Sequence, residues 1–320
     1  MLIDGFGRRI DYLRLSVTDR CDLRCSYCMP DGFHSDDEPR EWLTFDELER
    51  LAGIFVRQGI ERIRLTGGEP FLRRNLSDLA GRIARLPGLG DLSLSTNGTQ
   101  LSKYAEKLRQ SGVNRINVSL DSLDPARVLA ISRRDVLPQV LEGLESAAQL
   151  GFSQIKINMV VLPDTSEQDI IDMAAYCAEN SFILRLIETM PVGQRLGFVD
   201  LQPIRRRLRE RFGLIDGLVA GAGPARYMVS GDGRFKIGFI TALSQHFCDT
   251  CNRIRLSANG TLHLCLGRNE DVDFRGLMRS GASDEEIAHA LRHSLGRKPE
   301  RHDFRNKSEH VLRMMSSTGG

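Results

Sequence analysis

Six short runs rich in aliphatic residues, five of them followed by a segment that can cross back over a sheet, fill the chain up to about residue 190. No other feature restricts the fold as strongly. The strand-like runs are 12–17, 62–65, 92–95, 116–120, 155–161 and 183–187, and helical patterns lie between them at 45–58, 103–111, 138–150 and 167–179. Thr44 followed by Glu47 is a capping box that starts the first of these helices. Strand–helix units in series imply a parallel sheet with right-handed crossovers. Six units fall short of the eight that close a full barrel, so the expected class is α/β, an incomplete (β/α)6 barrel with an open side. A flat doubly wound sheet is the alternative.

Side-chain parity favours the barrel. Leu13, Leu15 and Val17 share one face of the first run, with Arg14 and Ser16 on the other. The same split separates Ile63 and Leu65 from Arg62 and Arg64, and Leu92 and Leu94 from Ser93 and Ser95. It recurs for Ile116 and Val118 against Asn117 and Ser119, and for Ile155, Ile157 and Met159 against Lys156 and Asn158. Strands covered by helices on both faces read as continuous apolar runs. Here one polar face is left over to line a cavity. The sixth run, which places Arg185 with Ile183 and Ile187, supports this less clearly.

After Met190-Pro191-Val192-Gly193 the pattern changes. An Arg-rich helix at 201–212 leads into a Gly/Ala stretch at 213–223, β-like runs at 226–229 and 234–240, an Asn259-Gly260 hairpin turn and a helix at 284–295. The expected division is a barrel core over 1–193 and a C-terminal α+β extension over 194–320. Forty-four Lys and Arg against 42 Asp and Glu leave a net charge of +2, so nothing global points to nucleic acid or an anionic membrane. No apolar run approaches the ~20 residues needed to span a bilayer. Met1-Leu2-Ile3-Asp4-Gly5 lacks the layout of a signal peptide. A reducing cytoplasmic location is expected, in which clustered cysteines mean metal before disulfide.

Six of the seven cysteines form two triads. Cys177 shares a helical stripe with Ile170, Met173 and Ala174 and reads as core. Cys21, Cys25 and Cys28, spaced C-x3-C-x2-C, directly follow the first strand. Three thiolates on one loop can hold three irons of a cubane and leave the fourth open to a small molecule. Zinc with His34 as a fourth ligand is the competing reading. Thr66-Gly67-Gly68-Glu69-Pro70, one strand–helix unit later, weighs against zinc: glycines let the backbone approach a ligand, and the carboxylate can receive an ammonium group. Cys248, Cys251 and Cys265, spaced C-x2-C-x13-C, are on the residues alone open between zinc and iron–sulfur, with His246 and His263 available as a fourth ligand.

Cys21-Asp22-Leu23-Arg24-Cys25-Ser26-Tyr27-Cys28 followed by Gly67-Gly68-Glu69-Pro70 resembles the radical S-adenosylmethionine (SAM) superfamily. The resemblance implies a [4Fe–4S] cluster that chelates SAM, with Tyr27 near the adenine, Gly68 and Glu69 at the methionine amine, and Ser119 and Met190 also touching the cofactor. Residues 247–256 with Cys265-Leu266-Gly267, the entry Leu13-Arg14-Leu15-Ser16-Val17-Thr18-Asp19-Arg20 and the terminal Gly319-Gly320 are similar to the GTP 3′,8-cyclase family of molybdenum cofactor biosynthesis. That likeness implies a second [4Fe–4S] cluster on Cys248, Cys251 and Cys265 whose open iron meets the substrate base. GTP would be held by Arg14, Arg64, Ser95, Lys156, Arg185, Arg253 and Arg255. Catalysis would involve Arg253, Arg255, Gly319 and Gly320, the two glycines reaching into the site. Ser95 stands where the family commonly has threonine, and 30–40 looks shorter and more acidic than usual.

The basic set also makes sense physically. A triphosphate carries about four charges, and guanidinium–phosphate pairs are strong where water is scarce. The implied reaction begins with reductive cleavage of SAM, followed by removal of the 3′ hydrogen of GTP and attack on C8 of guanine. Implied partners are a flavodoxin- or ferredoxin-like reductant, a downstream cyclic pyranopterin monophosphate synthase and a second copy in a homodimer.

Overall fold

The computed structural model describes residues 1–28, 42–191, 197–219, 223–302, 304 and 315–319. The strands of the first half are β1 (Tyr12–Ser16), β2 (Arg62–Thr66), β3 (Asp91–Thr96), β4 (Arg115–Ser119), β5 (Gln154–Val161) and β6 (Ile183–Glu188). Between them run α1 (Phe45–Gln58), α2 (Leu76–Ala84), α3 (Leu101–Gln110), α4 (Pro125–Ser132), α5 (Leu137–Gln149) and α6 (Glu167–Glu179). The capping box expected at α1 is present: Thr44 Oγ1 accepts from Glu47 N at 3.2 Å, and the Glu47 carboxylate accepts from Thr44 N at 2.7 Å. β1 to β6 pair in sequence order, each parallel to the next.

The second half adds α7 (Leu201–Phe212), β7 (Leu214–Gly217), β8 (Arg226–Ser230), β9 (Lys236–Ile240), β10 (Arg253–Leu256), β11 (Thr261–His263), β12 (Asp271–Asp273), α8 (Phe274–Arg279), α9 (Asp284–Leu295) and α10 (Met315–Thr318). Its strands extend both edges of the sheet laid down by the first half. β10 lies parallel to β1, and β9 lies parallel to β6. Antiparallel β11–β12 and β8–β7 complete a twelve-stranded order that does not close on itself. The open barrel edges are thereby covered rather than left as templates for pairing. The β10–β11 hairpin turns at Asn259-Gly260, as its sequence implies.

Leu13, Leu15, Ile63, Leu65, Leu94, Ile116, Val118, Ile157, Met159, Leu184 and Leu186 are fully buried on the helix side of the sheet. Each contributes roughly 1.5–3 kcal/mol of transfer free energy. Cys177 joins this core. On the opposite face the strand register aligns Arg255, Arg14, Arg64 and Ser93 across four neighbouring strands. Arg14, Lys156 and Arg185 are buried as well. A sheet face merely wetted by solvent would leave such charges exposed, so the polar parity marks an interior.

Candidate active site

Three adjoining cavities run along the polar face. The upper one lies at the C-terminal ends of the parallel strands, where this architecture puts its chemistry. Cys21, Cys25, Cys28, Tyr27, Gly68 and Ser119 are in its wall, with Ser95 and Met190. The middle one is walled by Cys248, Cys251, Cys265, Arg14, Arg253 and Arg255. Asn158, Ile187, Met190 and Met315 belong to both walls. The two triads therefore open onto neighbouring chambers that meet at these four residues. The lower cavity, of about 460 Å³, lies toward the N-terminal strand ends and contains Arg62, Arg115 and Lys156.

The first triad's loop is fastened by its own polar residues. Asp22 accepts from Asn97 Nδ2 at 2.7 Å and from Thr99 Oγ1 at 2.8 Å, and Arg24 N donates to Ser132 O. Burial pushes the Cys21 thiol up to about 12, with Glu69 adding to the effect, and Cys28 up to about 11. Cys25 is driven well above the thiol range by burial and then by Cys28. Three packed thiols of this kind become thiolates only against concentrated positive charge, which fits an iron–sulfur cluster. Among the described residues no three Cys, His, Asp or Glu side chains converge tightly enough for a single metal ion. Thiolates serving three different irons have no such requirement. His34 lies outside the described residues.

The Gly-Gly-Glu-Pro loop shows a role for its glycines beyond the one expected. A Cβ on Gly68 would sit 2.2 Å from Arg20 O. Its absence lets Gly68 N and Glu69 N donate to Thr18 O and Arg20 O at 2.9 and 2.7 Å. The loop thus clamps the backbone that leads into Cys21, while Gly67 and Gly68 also face the upper cavity. Glu69 is fully buried, and its carboxylate accepts from Phe71 N, Thr96 Oγ1 and Asn97 N at 3.1, 2.9 and 2.7 Å. Burial raises its pKa to about 8. Tyr27 donates to Asp121 at 2.8 Å, and Asp121 also accepts from Val160 N.

The second triad sits among cations. The Arg8 guanidinium donates to Cys248 O at 2.8 Å and to the carbonyls of Pro299 and Glu300 at 2.7 Å. Lys298, buried, donates to Arg253 O at 3.0 Å and to Leu264 O. Burial pushes the Cys251 thiol up, but Arg253 and Lys298 outweigh it and bring it down to about 7. His263 Nδ1 is 2.8 Å from Asp271 Oδ1. This donor set suits a thiolate-ligated cluster.

The C-terminal tail lies between the upper and middle chambers, with Met315 in both walls. Gly319 O accepts from Arg14 Nε at 3.0 Å and from Arg255 Nη1 at 2.5 Å. Gly319 has φ of +71°, and a Cβ there would lie 2.2 Å from Thr66 Cγ2, so glycine is required on both counts. Gly320 lies outside the described residues. Arg14 and Arg255, expected at the substrate, thus hold the tail in this arrangement. Burial, then Arg255, pulls the Arg14 pKa well down, a sign of crowded positive charge that an anion relieves. Burial likewise lowers Arg185 and Arg255 to about 10.

Several residues of the site escaped the reading of motifs. Tyr12 Oη and Asn158 Oδ1 are buried without a hydrogen-bond partner, as is Nε of Arg185, a residue already expected at the substrate, and each belongs to a cavity wall. Strand parity already set Asn158 on the polar face, and Tyr12, two residues before Arg14, shares that parity. Asn97 and Asp121 carry no pattern of their own, because their partners are distant in sequence.

An open parallel sheet, a C-x3-C-x2-C loop at its C-terminal end and a Gly-Gly-Glu-Pro clamp define a radical SAM enzyme. Residues 15–177 match the model of the radical SAM superfamily, and residues 182–304 match Molybdenum Cofactor Synthesis C. The chain is 42% identical to a GTP 3′,8-cyclase of Brucella ovis and 44% identical to one of Paracoccus denitrificans, in each case over 100% of this chain and 96% of the relative. It belongs to the GTP 3′,8-cyclase family. The crystal structure of Streptococcus suis SuiB bound to S-adenosylmethionine shares the fold, with a TM-score of 0.64 at 16% identity, covering 89% of this chain and 68% of that one. No helix among the described residues is long and apolar enough to cross a membrane.

Proposed function

We infer that this chain converts GTP to (8S)-3′,8-cyclo-7,8-dihydroguanosine 5′-triphosphate, the first step of molybdenum cofactor biosynthesis, using SAM and [4Fe–4S] clusters. Membership of the cyclase family supports this. The observation that carries it at the site is the adjacency of the two triads' chambers across Asn158, Ile187, Met190 and Met315, with buried arginines on the substrate side. In this reading Cys21, Cys25 and Cys28 hold one cluster, and Cys248, Cys251 and Cys265 the other. Tyr27, Gly68, Glu69, Ser119 and Met190 surround SAM. Arg14, Arg64, Lys156, Arg185, Arg253 and Arg255 hold GTP, Ser95 would have to reach it from the upper cavity, and Gly319 and Gly320 complete the catalytic chamber. Residues 1–193 form the core and 194–320 the extension; the boundary lies outside the described residues.

When bound, the first cluster and SAM supply one-electron chemistry that begins hydrogen abstraction. The chain's own task is orientation and exclusion. Ile187, Met190 and Met315 keep the partition apolar and water-poor, whereas Asn158 offers a polar contact at the passage. Arg14 and Arg255 fix Gly319 so that the tail fills space water would otherwise occupy. A flavodoxin- or ferredoxin-like donor, a downstream synthase for the product, a homodimer and a cytoplasmic location belong to the same proposal.

Anaerobic turnover with GTP and SAM tests it. Reduced enzyme must yield methionine, 5′-deoxyadenosine and the cyclised nucleotide. SAM cleavage with no consumption of GTP would refute the substrate.

A further inference from the structure

The middle and lower cavities meet at a neck formed by Tyr12, Arg64, Arg185 and Gly223, which line both. Two polar atoms at this neck, Tyr12 Oη and Arg185 Nε, are buried with no hydrogen-bond partner. An unsatisfied buried donor is costly and rarely kept without a use. Tyr12 stands on the row Arg253–Tyr12–Arg62 of adjacent strands, and the Arg64 guanidinium lies 5.5 Å from its ring centre. Below the neck, Arg62, Arg115 and Arg205 are already matched by Asp11, Asp91 and Asp216. Arg64, Lys156 and Arg185 instead hydrogen-bond to neutral groups of Ser93, Tyr227 and Asn117 among the described residues. Arg64 and Arg185 at the neck and Lys156 in the lower cavity, none with a carboxylate among the described residues, together with the idle Tyr12 Oη and Arg185 Nε, form a site for an anion longer than one phosphate.

We propose that Tyr12 is a substrate-binding residue that selects for polyphosphate length: the chain of phosphates threads the neck from the middle cavity into the lower one, and Tyr12 Oη donates a hydrogen bond to an oxygen beyond the first phosphate. This rests on the assignment of GTP above, whose phosphates Arg64, Lys156 and Arg185 already hold, and adds to it the residue that measures their number. The phenol does so as a neutral donor, with the charge supplied by Arg64, Lys156 and Arg185.

Equilibrium dialysis of anaerobically reconstituted enzyme with GTP, GMP and inorganic tripolyphosphate tests it. In the unaltered enzyme, tripolyphosphate must compete with GTP. Tyr12→Phe removes one oxygen and keeps the ring, and is expected to weaken GTP and tripolyphosphate by roughly tenfold or more, the range of a hydrogen bond to a charged group. GMP affinity, SAM affinity and iron content should be unchanged, and the KM for GTP should rise with kcat nearly constant. Equal affinity of the Phe variant for tripolyphosphate, equal weakening of GMP and GTP, or no competition by tripolyphosphate in the unaltered enzyme would each overturn it. Enzyme that binds no GTP at all would instead count against the cyclase reading.

Discussion

The two cysteine triads are alike in composition and differ in the charges nearest their sulfurs. The first is pressed by burial and by carboxylates: Glu69 and Asp22 raise Cys21, and Asp121 raises Cys25 and Cys28. Beside the second, Arg253 and Lys298 lower Cys251, and Arg8 tempers the upward push of burial on Cys248. Net charge and hydrogen bonding around the sulfurs are what a protein uses to set the potential of such a centre. Negative surroundings favour a strongly reducing centre, and positive surroundings favour one that stabilises added negative charge or an anionic ligand. A single pocket can thus assign different tasks to one kind of ligand by the charges packed behind it.

Removing either triad should break the comparison with the largest effects. Cys21→Ala should abolish reductive cleavage of SAM, measured as 5′-deoxyadenosine formed under dithionite. Cys248→Ala should leave that cleavage in place and stop cyclisation; retained cyclisation would deny the second triad its substrate role. Next in size is the tail between the two chambers. Gly319→Ala places a methyl against Thr66 and needs a left-handed backbone, so the tail must shift. Misplacement of about 1 Å near a reacting centre can cost 10²-fold. Cyclised product should fall by about that factor while SAM cleavage continues uncoupled, which product quantification against 5′-deoxyadenosine resolves.

A smaller change sharpens the electrostatic contrast. Lys298→Met deletes a buried cation that bridges the carbonyls of Arg253 and Leu264. The second centre, isolated in a Cys21/Cys25/Cys28→Ala background, should then titrate at a lower potential, and Lys298→Arg should restore it. Redox titration followed by electron paramagnetic resonance reads the shift. An unchanged midpoint would mean that Lys298 is only a strut.

How far the sequence reveals this arrangement differs between the two halves. In the barrel, period-2 parity identified the interior face before any motif was considered, because each strand buries one face against helices. α1, α6 and α7 are legible to the residue and α9 closely, α1 helped by its Thr44/Glu47 box; the Ser283/Glu286 box of α9 is seen in the structure. α2 is not: Asn75 caps it in a left-handed conformation without a side-chain bond, and Gly81 lies inside it. α4 offers Asp124 and Pro125 as start signals but runs only eight residues. β7 hides in a Gly-rich stretch and exposes Ile215 at a sheet edge. The attachment of β9 and β10 to opposite edges of the barrel has no local signature, since it depends on pairing across more than two hundred residues for β10. The motif residues were therefore visible, while Tyr12, Asn158 and Asn97 acquire meaning only from cavity walls that the long-range pairing creates.

The cationic half can also be tested through protons. Burial, followed by repulsion from Arg185, Arg115 and Arg64, brings Lys156 down to about 7 from its ordinary 10.5. A lysine lowered on folding leaves the unfolded chain holding more protons between about pH 7 and 10.5, so its contribution to stability improves as pH rises through that window and is most unfavourable below it. A bound triphosphate reverses the local field and favours the charged ammonium. GTP binding should therefore take up protons near pH 8 and little near pH 6, where Lys156 is already charged. Calorimetry at pH 8 in buffers of different ionisation enthalpy should show this uptake, and Lys156→Gln should reduce it. Identical apparent enthalpies in all buffers at pH 8 would place the phosphates away from Lys156, and with them the notion that this end of the pocket is built for polyanions.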